Sequence, residues 1–85
     1  MGACRFADYM MNFDIELEVR KLACPLPILR TKKSLSVMAS GTVLKVVATD
    51  KEAPQDFEVF CRQTGNELLS AEVSGDEFIF YIRRR

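Results

Sequence analysis

The stretch Phe13-Asp14-Ile15-Glu16-Leu17-Glu18-Val19-Arg20-Lys21-Leu22-Ala23-Cys24-Pro25-Leu26-Pro27 carries the reading on which the fold turns. Its first half alternates strictly, with Phe13, Ile15, Leu17 and Val19 on one side and Asp14, Glu16, Glu18 and Arg20 on the other. That two-residue period is the mark of a half-buried strand. At Cys24-Pro25-Leu26-Pro27 the period changes, and a helical segment runs to Ser40, with Ile28, Leu35 and Met38 on one stripe and Gly41 as its C′ residue. Proline at the start and glycine at the stop suit a helix. The junction therefore predicts strand, tight loop, helix.

Outward from that junction the pattern repeats. Thr42 to Thr49 is rich in β-branched residues, with Leu44, Val46 and Ala48 on one side and Val43 and Val47 on the other, which predicts a central strand covered on both faces. Pro54 opens a second amphipathic helix in which Phe57, Phe60, Cys61 and Thr64 share a face until Gly65. Leu69, Ala71 and Val73 alternate, Ser74-Gly75-Asp76 supplies a turn, and Phe78, Phe80 and Ile82 alternate again as the second arm of a hairpin. Ile79 and Tyr81 then face the other side of the sheet, where a partner could cover them if that face is open. The order β-α-β-α-β-β, with right-handed crossovers, puts both helices on one face of a four-stranded sheet, an α/β (α+β) two-layer sandwich. Residues 1–11 show no period and are expected to form a loosely ordered tail, with Met10-Met11 as an alternative start, ahead of a single domain over 12–85. Arg83-Arg84-Arg85 reads as a solvated basic tail.

Composition narrows the chemistry. Twelve Lys and Arg balance twelve Asp and Glu, so no bulk field exists to hold a polyanion, and direct nucleic-acid binding is not expected. There is no His, which excludes imidazole bases, Cys–His and Ser–His dyads and His-containing zinc sites. No run of about 18 apolar residues is present, so no membrane span is expected. Cys4, Cys24 and Cys61 form neither a CxxC pair nor an even set, and read as free thiols of a reducing, cytoplasmic environment with no metal and no cofactor. Cys61 shares the apolar stripe of Phe57 and Phe60 and is expected in the core, while Cys4 lies in the tail. Asp50 and Asp56, at a strand end and in a first helical turn, read as helix-capping and dipole-complementing residues.

Cys24 is the informative cysteine. It sits where a strand feeds a helix, beside free backbone N–H groups that favour an anion, and thiol pKa values are depressed at such places. Pro25 and Pro27 restrict the loop that presents the sulfur, and prolines at both positions follow a cysteine by chance only about once in 400 cases. The bland alternative is a small buried filler beside a proline-started helix.

The run Leu17-Glu18-Val19-Arg20-Lys21-Leu22-Ala23-Cys24-Pro25-Leu26-Pro27, followed by Thr31-Lys32-Lys33-Ser34-Leu35, resembles the signature of the TusA/SirA-like sulfur-carrier family. That signature reads Leu-Asp-x-x-Gly-Leu-x-Cys-Pro-x-Pro with a later Thr-Lys-Lys-Ala-Leu. Further likeness extends over about residues 13 to 83, including Val43-Leu44-Lys45-Val46, Thr49-Asp50 and Thr64-Gly65-Asn66-Glu67-Leu68-Leu69. The resemblance implies a mixed sheet of strand order 1-2-4-3, like the C-terminal domain of translation initiation factor three. It also implies an accessory sulfurtransferase, a persulfide carrier rather than a stand-alone enzyme. Cys24 would accept sulfane sulfur from a cysteine desulfurase or a rhodanese and pass it to an acceptor protein. Downstream uses in such a family include tRNA thiolation, molybdenum-cofactor maturation and sulfur oxidation. Pro25, Pro27, Glu18 and Leu22 would support the motif, and Lys21, Arg30, Lys32 and Lys33 are docking candidates on a monomer.

Two positions depart from the signature. Lys21 replaces a Gly, which makes it either a strained residue, if the Gly served a positive φ, or an added charge near the sulfur, if the Gly served smallness. Glu18 replaces an Asp, and its longer side chain displaces any loop hydrogen bond the Asp would make. The competing function is a non-catalytic regulatory or protein-interaction module in which Cys24 is incidental.

Overall fold

The computed structural model describes residues 13–85, and the expectations for the 1–11 tail and for Cys4 lie outside them. The elements are β1 (Ile15–Val19), α1 (Leu26–Ser36), β2 (Val43–Ala48), α2 (Ala53–Thr64), β3 (Glu67–Ser74) and β4 (Glu77–Arg83). They form one four-stranded sheet in the order β1-β2-β4-β3, with β1 parallel to β2 and the other two pairs antiparallel. This is the mixed sheet and β-α-β-α-β-β order expected. The register sets Ile15, Leu17 and Val19 beside Leu44, Val46 and Ala48, which lie beside Ile82, Phe80 and Phe78. Side chains directly opposite share a face. That face packs on Leu35 of α1 and on Phe57, Phe60 and Cys61 of α2, with Phe57 stacked on Phe80 at 4.6 Å between centroids.

The other face is not left bare. Val47 and Tyr81 are buried there, and Phe13, which the alternation places with Ile15, instead lies against Tyr81 with the Lys45 ammonium 5.2 Å from its ring centre. Phe13 precedes the first ladder residue, so nothing in the sheet holds it to the alternating pattern. Arg20 closes the same side by pairing with both Glu77 and Glu18.

Four further expectations are corrected. Helix α1 ends at Ser36 rather than Ser40: the Ser36 hydroxyl donates to the Lys33 carbonyl, and Met38 reaches the core from a following turn in which its N–H donates to Leu35 O. Gly41 does have a positive φ, +90°, but it serves the next turn, where its N–H donates to Arg84 O. The alternation of Leu69, Ala71 and Val73 does not bury them, since β3 is an edge strand with a register shift between Leu68 and Ser70, and Leu68 is the residue that meets the core. The C-terminal arginines are no free tail: Arg83 pairs with Glu67, Arg84 pairs its backbone with Thr42 and Gly41, and the Arg85 N–H donates to Asn66 Oδ1.

Thr31 is wholly buried on α1, and its hydroxyl has no hydrogen-bond partner among the described residues. An orphaned buried hydroxyl costs about 1–3 kcal/mol, and a methyl of the same shape removes that cost. Thr31→Val is expected to raise stability by about 1 kcal/mol, which at this size is roughly 4–8 °C in melting temperature. A thermal melt that moves down would show that the hydroxyl is satisfied.

Candidate functional site

β1 and β2 run parallel and side by side, so their carboxyl ends open at one edge of the sheet, the place where such sheets build sites. The chain leaves β1 at Val19 and must turn sharply to start α1 at Leu26. Lys21 makes that turn with φ +66°. Its N–H donates to Thr49 Oγ1 at 2.8 Å, and the Cys24 N–H donates to Asp50 Oδ2 at 3.0 Å, which ties both ends of the loop to the end of β2. Leu22 packs on the core between them. The Cys24–Pro25 peptide is cis, Pro25 is the N-cap of α1, and Pro27 is buried in its first turn.

The Lys21 backbone resolves the alternatives left open by its sequence: glycine's place here is a left-handed one. A non-glycine residue in that region costs about 1–2 kcal/mol, partly offset because glycine loses more freedom on folding. Lys21→Gly is expected to stabilise the fold by roughly 0.5–1 kcal/mol, read as a higher melting temperature; a lower one would mean the lysine side chain contributes more than the strain costs. Glu18 makes no loop bond among those described, and its carboxylate pairs with Arg20 at 2.7 Å.

The Cys24 side chain is exposed at the mouth of an open groove of about 290 Å³ between the helices. Pro25 and Ile28 line it from α1, and Asp56, Val59 and Phe60 from α2. Across the mouth stand Glu52 and Asp56, and the Cys24 sulfur and one oxygen from each carboxylate lie within 4.8 Å of one another. This grouping of one sulfur and two carboxylates, exposed or half-buried, is of a kind common without a bound ion. Its effect on the thiol is clear in sign. The Asp56 carboxylate accepting the S–H, followed by desolvation and by the charges of Asp56, Glu52 and Asp50, holds the Cys24 thiol above its ordinary range.

This reverses the expectation of a depressed thiol. The start of α1 lies one residue beyond the cysteine, with no side chain capping the helix, but the charges of the described residues that act on the thiol are those of carboxylates. Arg30, Lys32 and Lys33 are exposed on α1 and none of them acts on the sulfur; Lys32 lines a separate groove with Arg84 and Arg85. The capping role read for Asp50 and Asp56 is also incomplete. Asp50 accepts from Glu52 N–H at 3.3 Å as well as from Cys24, and no side chain caps α2. The available signal was their spacing: a strand end and the next helix's first turn converge on the loop after the preceding strand. Cys61 is in the core, where burial pushes its thiol up to about 11. No helix of the described residues is long and apolar enough to cross a membrane.

Residues 15–84 match the family described as sulfurtransferase TusA. The chain is 51% identical, over 88% of its length and 99% of the relative's, to the sulfur carrier protein TusA of Allochromatium vinosum. It is 52% identical to a putative sulfur carrier protein of Neisseria meningitidis serogroup A, over 81% of this chain and 93% of that one. A crystal structure of a SirA-like protein from Desulfitobacterium hafniense is similar in fold, with a TM-score of 0.72 over 82% of this chain and 96% of that one at 21% identity. With the Cys-Pro-x-Pro loop at Cys24 and a family match across nearly all the described residues, the chain belongs to the TusA family.

Proposed function

We propose that this protein is a sulfur carrier whose Cys24 accepts sulfane sulfur as a persulfide from a donor protein and relays it to an acceptor protein. The observation that supports this most is the presentation of Cys24: an exposed thiol on a loop fixed at both ends, at the mouth of a groove open enough for another chain to approach. A filler cysteine would be buried, as Cys61 is. The donor would be a cysteine desulfurase or a rhodanese, both of which offer a persulfide. Leu26 and Leu29, 45% and 54% exposed on α1, offer apolar area beside the sulfur, with Arg30, Lys32 and Lys33 as charged docking candidates further along.

The transfer balances without an oxidant. The Cys24 sulfur attacks the outer sulfur of the donor persulfide, one S–S bond forms as the other breaks, and the hydrogen from Cys24 ends on the donor's leaving sulfur. Discharge repeats the exchange with an acceptor thiol. Incubation with a cysteine desulfurase plus cysteine, or with a rhodanese plus thiosulfate, tests the reading by intact mass and peptide mapping. A reducible gain of one sulfur on the Cys24 peptide is the expected result, and folded protein that gains none from either donor would favour the interaction-module reading instead.

A further inference from the structure

Asp56 takes no part in the exchange as just written, yet its carboxylate is one of two with an oxygen within 4.8 Å of the reacting sulfur. It stands in the first turn of α2, half-buried, with its carboxylate at the Cys24 S–H across the groove mouth. Glu52, one turn earlier, completes the triangle within 4.8 Å. Asp50, from the end of β2, spends its oxygens on the backbone N–H groups of Cys24 and Glu52 but adds its charge. Among the described residues, the charges that raise the thiol come from Asp56, Glu52 and Asp50, at the β2 end and on α2 alike, and are negative; Lys21 and Lys51, on the flanking loops, are not among them.

On the carrier reading, we propose that Asp56 is the positioning residue for transfer at Cys24: it takes the thiol hydrogen when the carrier is empty and opposes the negative outer sulfur when the carrier is loaded. The two halves follow from one asymmetry. An empty Cys24 is a neutral S–H that a carboxylate holds by a hydrogen bond. A persulfide is a stronger acid than a thiol, so a loaded Cys24 carries an anion at neutral pH. The added sulfur extends only about 2 Å beyond the first, well inside the ~8 Å over which salt leaves charges unscreened. The carboxylates thus stabilise the empty state and oppose the loaded one, and the exchange equilibrium is displaced toward the acceptor. Between partners the empty thiol is kept from adventitious alkylation and oxidation, which need the thiolate.

The test uses Asp56→Asn, which keeps the shape and removes the charge, and Asp56→Glu, which restores the charge. The first readout is iodoacetamide alkylation of the Cys24 peptide from pH 6 to 10. Asp56→Asn is expected to move the profile to lower pH and to raise the rate at pH 7 about threefold for each tenfold gain in thiolate, since nucleophilicity falls as acidity grows. The second readout is the loaded fraction by intact mass in mixtures of glutathione persulfide and glutathione. A severalfold larger loading constant is expected for Asp56→Asn, with Asp56→Glu near wild type in both measurements. Glu52→Gln, at an exposed position of the same triangle, is expected to shift both in the same direction by less, and it carries the test if Asp56→Asn does not melt cooperatively. A wild-type alkylation profile and loading constant in Asp56→Asn would overturn the proposal, as would equal shifts in the Asn and Glu variants, which would assign the effect to packing. If wild type itself takes up no sulfur, the carrier reading falls; if wild type loads and Asp56→Asn matches it, only the role of Asp56 falls.

Discussion

Cys24→Ser is expected to take sulfur uptake from one atom per chain to none while leaving the protein folded. The loss is complete because a serine hydroxyl neither ionises in the working range nor forms a persulfide, and no other described thiol is placed to replace it. Cys61 is 4% exposed, and a thiol pushed up to about 11 by burial is almost wholly protonated at neutral pH. The fold survives because the loop is held through the backbone: the Cys24 N–H to Asp50 and the Lys21 N–H to Thr49 are both kept in the variant. An exposed substitution of this kind changes stability by about 0.5 kcal/mol or less, a few degrees of melting temperature at this size. Cys61→Ser is the matched control, expected to take up a full sulfur at some cost in stability. Uptake retained by Cys24→Ser would move the site to Cys61 or Cys4 and remove the basis for the groove's role.

How much of this was legible beforehand depends on how local each signal is. The alternation from Ile15 to Val19 and the β-branched run from Val43 to Ala48 are neighbours' patterns, and both became strands at those positions. Gly65, with φ +82°, ends α2 where the helical stripe of Phe57, Phe60 and Cys61 runs out. Met38 misled because a residue one turn past Leu35 reaches the core equally well from a helix or from the turn that actually carries it. Val73 misled because alternation reports which side of a strand a residue takes, not whether a helix covers that side; it lies opposite Phe78 and remains 69% exposed. The largest miss is the sign of the field at Cys24. The local features, a helix start and nearby cations, favour a thiolate, whereas the carboxylates that decide the matter come from positions 50 to 56 and reach the sulfur only once the sheet has formed. An aspartate in a first helical turn looks the same in sequence whether it complements a dipole or holds a thiol.

Phe57→Ala is expected to cost about 3–5 kcal/mol, among the largest single losses of stability in the molecule. The side chain has no exposed surface, and its ring stacks on Phe80, the central apolar residue of β4, at 20° between planes. Truncation removes the transfer free energy of the ring and leaves a cavity bounded by sheet residues that cannot follow it, since β4 is pinned between β2 and β3. A domain of this size has only about 5–15 kcal/mol in total, so about a fifth or more of its stability is at stake. With a urea slope of about 1.5 kcal/mol/M, the unfolding midpoint falls by roughly 2–3 M. Phe57→Leu keeps most of the volume and is expected to lose about 1–2 kcal/mol. The pair Phe57→Ala and Phe80→Ala should be less than additive by about 0.5–1.5 kcal/mol, because the stack is lost once and not twice. The same ring ties the core to the groove, for Phe57 follows Asp56 on α2 and fixes the turn from which that carboxylate faces Cys24. In conditions where Phe57→Ala is still folded, its Cys24 alkylation profile is therefore expected to move toward that of Asp56→Asn. A profile that stays at the wild-type position while the midpoint drops would show that the first turn of α2 is held by Ala53 and Pro54 without the help of the ring.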